Sequence, residues 1–184
     1  MIPVLIAYST AEGHSRKIAE FMAKALAEEG YRADVVDVGS ARAAAVQPVY
    51  RSAIVGGSVH MGRHSGDLGR FLRDNATWLS AIPLAFFSVS LTAARDDEQS
   101  RAEAAQVAAG FLAGTGLTAA RSCRIAGALH FGEYGPVKRL LARSVAQAMG
   151  APPAQDVEYT DWKDVHRFTV DFVCEYAGAP REVA

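Results

Sequence analysis

The chain of 184 residues is 50% apolar and 21% charged, with a formal charge of -1, which suits one folded domain over 1–184 and excludes both a disordered chain and a nucleic-acid binder held by bulk charge. Its two cysteines, Cys123 and Cys174, lie far apart and outside any C-x-x-C pair, which excludes a disulfide scaffold, a thiolate zinc site and an iron–sulfur cluster. Neither a basic leader nor an apolar run of about 18 residues occurs, so a soluble cytoplasmic protein is the expectation.

PVLIAY at residues 3–8 is an unbroken apolar run without helical period and predicts a buried strand. Residues 9–13 are small or polar. Residues 14–29 then predict a helix with Ile18, Phe21, Met22, Ala25 and Leu26 on one face and Gly30 as its stop. YRADVVDV at 31–38 is a second strand, and SAIVGGS at 52–58 a third that ends in two glycines. A helix over 66–77 carries Leu68, Phe71 and Leu72, and PLAFFSVSL at 83–91 is a fourth strand. From about Asp96 to Ala113 a further helix follows, with Asp96, Asp97 and Glu98 at the positive end of its dipole. SCRIAGAL at 122–129 is a fifth strand, and a last helix opens at Asp161 with Trp162, Val165, Phe168 and Phe172 on one stripe. Residues 130–157 interrupt the alternation and hold a helix of their own that begins at Pro136.

Strands interleaved with helices predict a doubly wound α/β sheet with helices on both faces. Ligands of such sheets bind outside the carboxyl ends of the strands, at the switch in strand order. The residues of interest are therefore those after 8, 57, 90 and 128.

Ser9, Thr10, Ala11, Glu12, Gly13, His14 and Ser15 run from the first strand straight into a helix. Exposed amides at a helix N-terminus attract anions; Thr10 and Ser15 add hydroxyl donors, and Gly13 lets the backbone close round a phosphate. Neither G-x-x-x-x-G-K-[ST] nor G-x-G-x-x-G is present, so a monophosphate suits the loop better than a triphosphate or a dinucleotide. A plain βα turn whose Ser or Thr caps the helix fits the same residues. At the end of the third strand, Gly56 and Gly57 allow close backbone approach to a ligand. Ser58, Val59, His60, Met61 and Gly62 follow, and Met61, His60 and His64 offer surfaces to border a planar ring. For either histidine the simpler reading is an exposed loop residue. After the fourth strand, Ser88, Val89, Ser90, Leu91 and Thr92 combine hydroxyls for the edge of a polar ring with one apolar side chain for its face. No side-chain acid or base stands out as catalytic, and no metal-ligand spacing occurs.

The loop over 9–15 resembles the flavodoxin phosphate loop. More specifically, Y-S-T-A-E-G-H-S-R-K-I-A at 8–19, F-F-S-V-S-L at 86–91, I-A-G-A-L at 125–129 and Y-T-D-W at 159–162 resemble the menaquinone-dependent protoporphyrinogen dehydrogenase family of bacteria. The similarity runs in register from residue 3 to about 170. It implies a flavodoxin-like five-stranded parallel sheet of order 2-1-3-4-5 with an insertion after strand five. By the same resemblance Thr10 to Ser15 would bind the phosphate of FMN, and Ser58 to Gly62 with Ser88 to Thr92 would hold the flavin ring. The implied activity is oxidation of protoporphyrinogen IX to protoporphyrin IX with a quinone as acceptor, in haem synthesis. The flavin carries the chemistry and the protein supplies orientation and electrostatics.

Residues 130–157 match the family's insertion. The helix over 136–149 would put Val137, Leu140, Leu141, Val145, Ala148 and Met149 on one face and Lys138, Arg139 and Arg143 on the other. A basic amphipathic helix suits an anionic membrane surface, which would make the protein peripheral at the inner face of the cell membrane. Packing on the domain with the charges in water is the competing reading. Two other functions share the fold: a flavodoxin-type electron carrier, and a flavin-dependent quinone reductase with another substrate. Carriers are usually strongly acidic, so a charge of -1 favours the enzyme. A phospho-acceptor receiver is excluded, because Gly56, Gly57 and Ser58 stand where it needs an aspartate.

Overall fold

Six consecutive buried residues make β1 (Val4–Ser9), as the unbroken apolar run predicts. The computed structural model describes residues 3–95, 97–129 and 156–176. In chain order the remaining strands are β2 (Ala33–Asp37), β3 (Ser52–His60), β4 (Arg63–His64), β5 (Leu84–Ser90), β6 (Arg121–Ala126), β7 (Ala128–Leu129) and β8 (Val157–Glu158). The α-helices are α1 (His14–Glu28), α2 (Gly66–Asp74), α3 (Ala76–Leu79), α4 (Glu98–Ala113) and α5 (Trp162–Tyr176).

The long strands form one parallel sheet of order β2-β1-β3-β5-β6, which is the expected 2-1-3-4-5 in the count of long strands. Alternate residues of each strand feed opposite faces. Ile6, Ile54 and Phe87 pack with Ile18, Met22 and Leu26 of α1 and with Val165, Phe172 and Val173 of α5. On the other face Leu5, Ala7, Val55 and Phe86 pack with Leu68, Leu72 and Leu79 of α2 and α3 and with Ala108 and Leu112 of α4. Both faces are therefore apolar, as a parallel sheet requires.

Several predicted boundaries move, each for a local reason. The third strand runs past Ser58 to His60 and turns back as β4, with His60 opposite Arg63. Met61 at φ 49° and Gly62 at φ 74° supply the two left-handed residues that a tight two-residue hairpin needs. The helix expected over 66–77 splits at Asn75, whose side chain donates to Phe71 O (2.8 Å) and accepts from Trp78 Nε1 (2.8 Å). The helix expected from Asp96 starts at Glu98, because the Asp97 carboxylate accepts from Ser100 N at 2.8 Å and caps it; Asp96 lies outside the described residues. In the same way Asp161 caps α5 rather than joining it, accepting from Lys163 N (2.9 Å). The fifth strand is not continuous over 122–129. Gly127 donates to Ser90 O (3.0 Å) and accepts from Tyr159 N (3.1 Å), so the chain leaves the main sheet there and β7 pairs antiparallel with β8. The helix expected over 136–149 lies outside the described residues.

Candidate functional site

The carboxyl ends of β1, β3, β5 and β6 open into one cleft of about 350 Å3. Its first wall is the turn between β1 and α1. Thr10, Glu12, His14 and Ser15 line it, whereas Ser9, Ala11 and Gly13 do not. Ser9 is buried beneath the turn, Ala11 is exposed, and Gly13 at φ 81° marks the N-terminal boundary of α1. Ser58, Val59, His60, Met61 and Gly62 make the second wall, and Ser88, Val89, Ser90, Leu91 and Thr92 the third. The three segments singled out in the sequence thus converge. Glu103, Ala104 and Val107 of α4 form a fourth wall, joined by Gly127 and Ala128, and sequence reasoning missed all five.

His64 does not border the cleft. The β3–β4 hairpin carries it into the core, where it is 9% exposed and packs edge-on to Phe86 at 5.3 Å and against Phe111 at 4.6 Å. Its Nε2 lies 3.1 Å from Ser88 Oγ, so it braces the third wall from behind. Burial pushes its pKa down from 6.5 to about 4, partly offset by a backbone group of Ser58. His60, by contrast, is exposed at the cleft.

Two hydroxyls of the first wall, those of Thr10 and Ser15, are left for a ligand. Thr10 Oγ1 and Ser15 Oγ in the wall, and Ser9 Oγ beneath the turn, are buried and have no hydrogen-bond partner, a state that buried hydroxyls rarely tolerate. Ser15 is 0% exposed and stands in the first turn of α1, beside amides that have no intrahelical acceptor. Behind it, a Cβ on Gly57 would come within 2.2 Å of Ser9 Oγ and 2.7 Å of Ser9 O. Only glycine lets β3 lie this close to the turn. Hydroxyls and helix-end amides together fit a phosphate monoester, the group by which FMN would be held at this turn.

A second network ties the turn to the segment after the insertion. Thr160 Oγ1 donates to Ala126 O at 2.7 Å, so its contact with His14 Nε2 (2.7 Å) has the imidazole as donor. Glu158 accepts from Lys17 Nζ and from Trp162 Nε1, each at 2.6 Å, and Lys17 lies 5.0 Å from the Trp162 ring centre. The I-A-G-A-L and Y-T-D-W segments therefore meet: Ala126 and Gly127 of the first bond Thr160 and Tyr159 of the second. Among the described residues no group of three or more His, Cys, Asp and Glu side chains could hold a metal ion.

A parallel sheet of this order with a hydroxyl-lined turn at its switch point defines a flavodoxin-like flavoprotein, and FMN is the cofactor of that class. The chain belongs to the flavodoxin domain family, which it matches over residues 5–156. It is 31% identical over 166 residues to protoporphyrinogen IX dehydrogenase (quinone) of Escherichia coli (strain K12), covering 89% of this chain and 91% of that one. A relative of the same name from Leishmania major is 32% identical over 171 residues, covering 91% of this chain and 73% of its own. Oxidised flavodoxin 1 of Bacillus cereus superposes with a TM-score of 0.56 at 14% identity, covering 93% of this chain and 97% of that structure.

Proposed function

We propose that the protein is an FMN-dependent oxidoreductase that converts protoporphyrinogen IX to protoporphyrin IX and passes the electrons to a quinone. The observation that carries this reading is identity of 31% spread over nine-tenths of both chains, 89% and 91%, with relatives that bear that activity in their name. The fold alone would not separate an enzyme from an electron carrier.

In this reading Thr10 and Ser15 donate to the FMN phosphate together with the first amides of α1. Ser58 to Gly62 and Ser88 to Thr92 hold the ring by its edges and one face. When bound, FMN supplies acceptance and delivery of electron pairs. The chain fixes where the ring stands: His64 holds Ser88 from the core, and the Ser90 hydroxyl accepts from Ala93 N at 3.1 Å, which shapes the turn above it. Thr160 and His14 fasten the phosphate end to the β8–α5 connection.

The test is an anaerobic assay of the FMN-loaded protein with protoporphyrinogen IX and a menaquinone analogue, following porphyrin fluorescence. Quinone-dependent porphyrin formation above a no-protein control is the expected result. Tight FMN binding without turnover would leave a carrier or another substrate as the better account.

We further propose contact with the inner face of the cell membrane through residues 136–149, supported by the basic set Lys138, Arg139 and Arg143 opposite an apolar stripe in the sequence. No helix among the described residues is long and apolar enough to cross a membrane. Changing all three to glutamate is expected to abolish sedimentation with anionic vesicles. Equal sedimentation of parent and variant, or none by the parent, would refute it.

A further inference from the structure

The cleft is lined on a further side by α4, where Glu103, Ala104 and Val107 present one face at i, i+1 and i+4. Ala104 is 5% exposed, so this side is floored by small and apolar side chains with a single carboxylate at its edge. No cation neutralises that carboxylate among the described residues: Arg95, on the preceding turn, is taken up by Asp97 at 3.3 Å. At the hairpin tip of the same cleft Met61 stands wholly in water. An apolar side chain left open in the same cleft as a carboxylate with no cation among the described residues suits a ligand that is large, apolar and rich in N–H donors.

We infer that Glu103 is a specificity-determining residue that receives the reduced tetrapyrrole through its pyrrole N–H groups; the inference rests on the porphyrinogen reading above. The saturated bridges of a porphyrinogen leave its macrocycle puckered, so its pyrrole N–H groups can turn together to one face and chelate a single carboxylate. Oxidation flattens the ring and turns the remaining N–H groups inward, where no external carboxylate reaches them. A quinone has carbonyl acceptors and no N–H donor, so a carboxylate repels it. Of the three molecules that visit this cleft, only the substrate therefore offers Glu103 outward N–H donors. It selects the reduced tetrapyrrole, lets the product leave and plays no part in the quinone half-reaction.

The experiment uses the FMN-loaded full chain and its Glu103→Gln variant under anaerobic conditions. With the flavin kept reduced by dithionite, protoporphyrinogen IX binds without turnover and its Kd is read by ultrafiltration. Loss of a charge-assisted hydrogen bond predicts a rise in that Kd of about tenfold. The Kd for protoporphyrin IX, the KM for the quinone and the FMN content should stay at the parent values, and Glu103→Asp should recover most of the affinity. Unchanged porphyrinogen binding in Glu103→Gln overturns the inference. So does an equal loss for substrate and product, which would mark a packing effect. A parent protein that binds no porphyrinogen at all refutes the functional reading itself, and this inference with it.

Discussion

Replacing Ser15 with alanine is expected to weaken FMN binding about 10- to 100-fold while making the ligand-free protein more stable by about 1 kcal/mol. The two effects have one origin. Ser15 Oγ is buried, has no partner and lines the cleft beside the first amides of α1. Without a ligand, the folded protein has given up that hydroxyl's water and gained nothing for it, a cost of about 1–3 kcal/mol. Alanine removes the unpaired group and is the better helix former at this position. With FMN present the balance reverses, since a hydroxyl donating to a charged phosphate contributes about 1.5–3 kcal/mol. A hydroxyl whose purpose was packing would give losses in both measurements. Thermal melting of the ligand-free protein and flavin fluorescence titration read the two quantities separately. An unaltered FMN affinity would remove the phosphate from this turn, and a less stable apoprotein would show that the hydroxyl has a partner within the fold.

How much of this was legible in the sequence depends on side-chain size and on backbone chirality. The strands and both core layers follow from apolar runs such as PVLIAY, which has no polar residue and no helical period, whereas the strand order came with the family resemblance. The α4 wall was hidden for the opposite reason. Its buried positions Ser100, Ala104, Ala108 and Leu112 repeat every four residues, but alanines also occupy the exposed positions between them, so no face stands out. Glu103 then reads as one more solvated charge. The β4 hairpin was missed because its turn is Met61-Gly62, and methionine is a poor guide to a position that needs φ above zero. That omission also misplaced His64, which looks like a loop residue until the hairpin folds it against Phe86 and Phe111. Gly127 reads as an ordinary strand glycine, and its role as the exit from the sheet needs Tyr159, 32 residues on, to be seen. The distant pair I-A-G-A-L and Y-T-D-W was visible as a family likeness, and its cause is the bonding of one to the other.

Lowering the pH from 7 to 4.5 is expected to destabilise the protein through His64, and further acidification through its folded pKa of about 4 to loosen the flavin. In the folded chain burial holds the His64 pKa at about 4, against 6.5 when unfolded. Between those values the unfolded chain binds the proton and the folded chain does not, so stability rises with pH across this window and is lost as pH falls. Full protonation would remove roughly 3 kcal/mol, with most of the loss complete near the folded pKa. Carboxylates also titrate here, so the parent must be compared with His64→Gln, which keeps a hydrogen-bonding group near Ser88 but takes up no proton. The variant should be the less stable protein at pH 7, because glutamine fills the space against Phe86 and Phe111 less well, yet its stability should fall less on acidification. Urea midpoints at both pH values give the difference. The consequence for function runs through Ser88, which lines the cleft and is held at 3.1 Å by His64 Nε2. A charged imidazole in that core must move towards water, and the third wall moves with it. Flavin should therefore dissociate from the parent at a higher pH than from His64→Gln, once the difference in their neutral-pH affinities is subtracted. A His64 ring that titrates near 6.5 by NMR, or identical pH dependence in the two proteins, would show that the core tolerates the charge and that Ser88 stands without this brace.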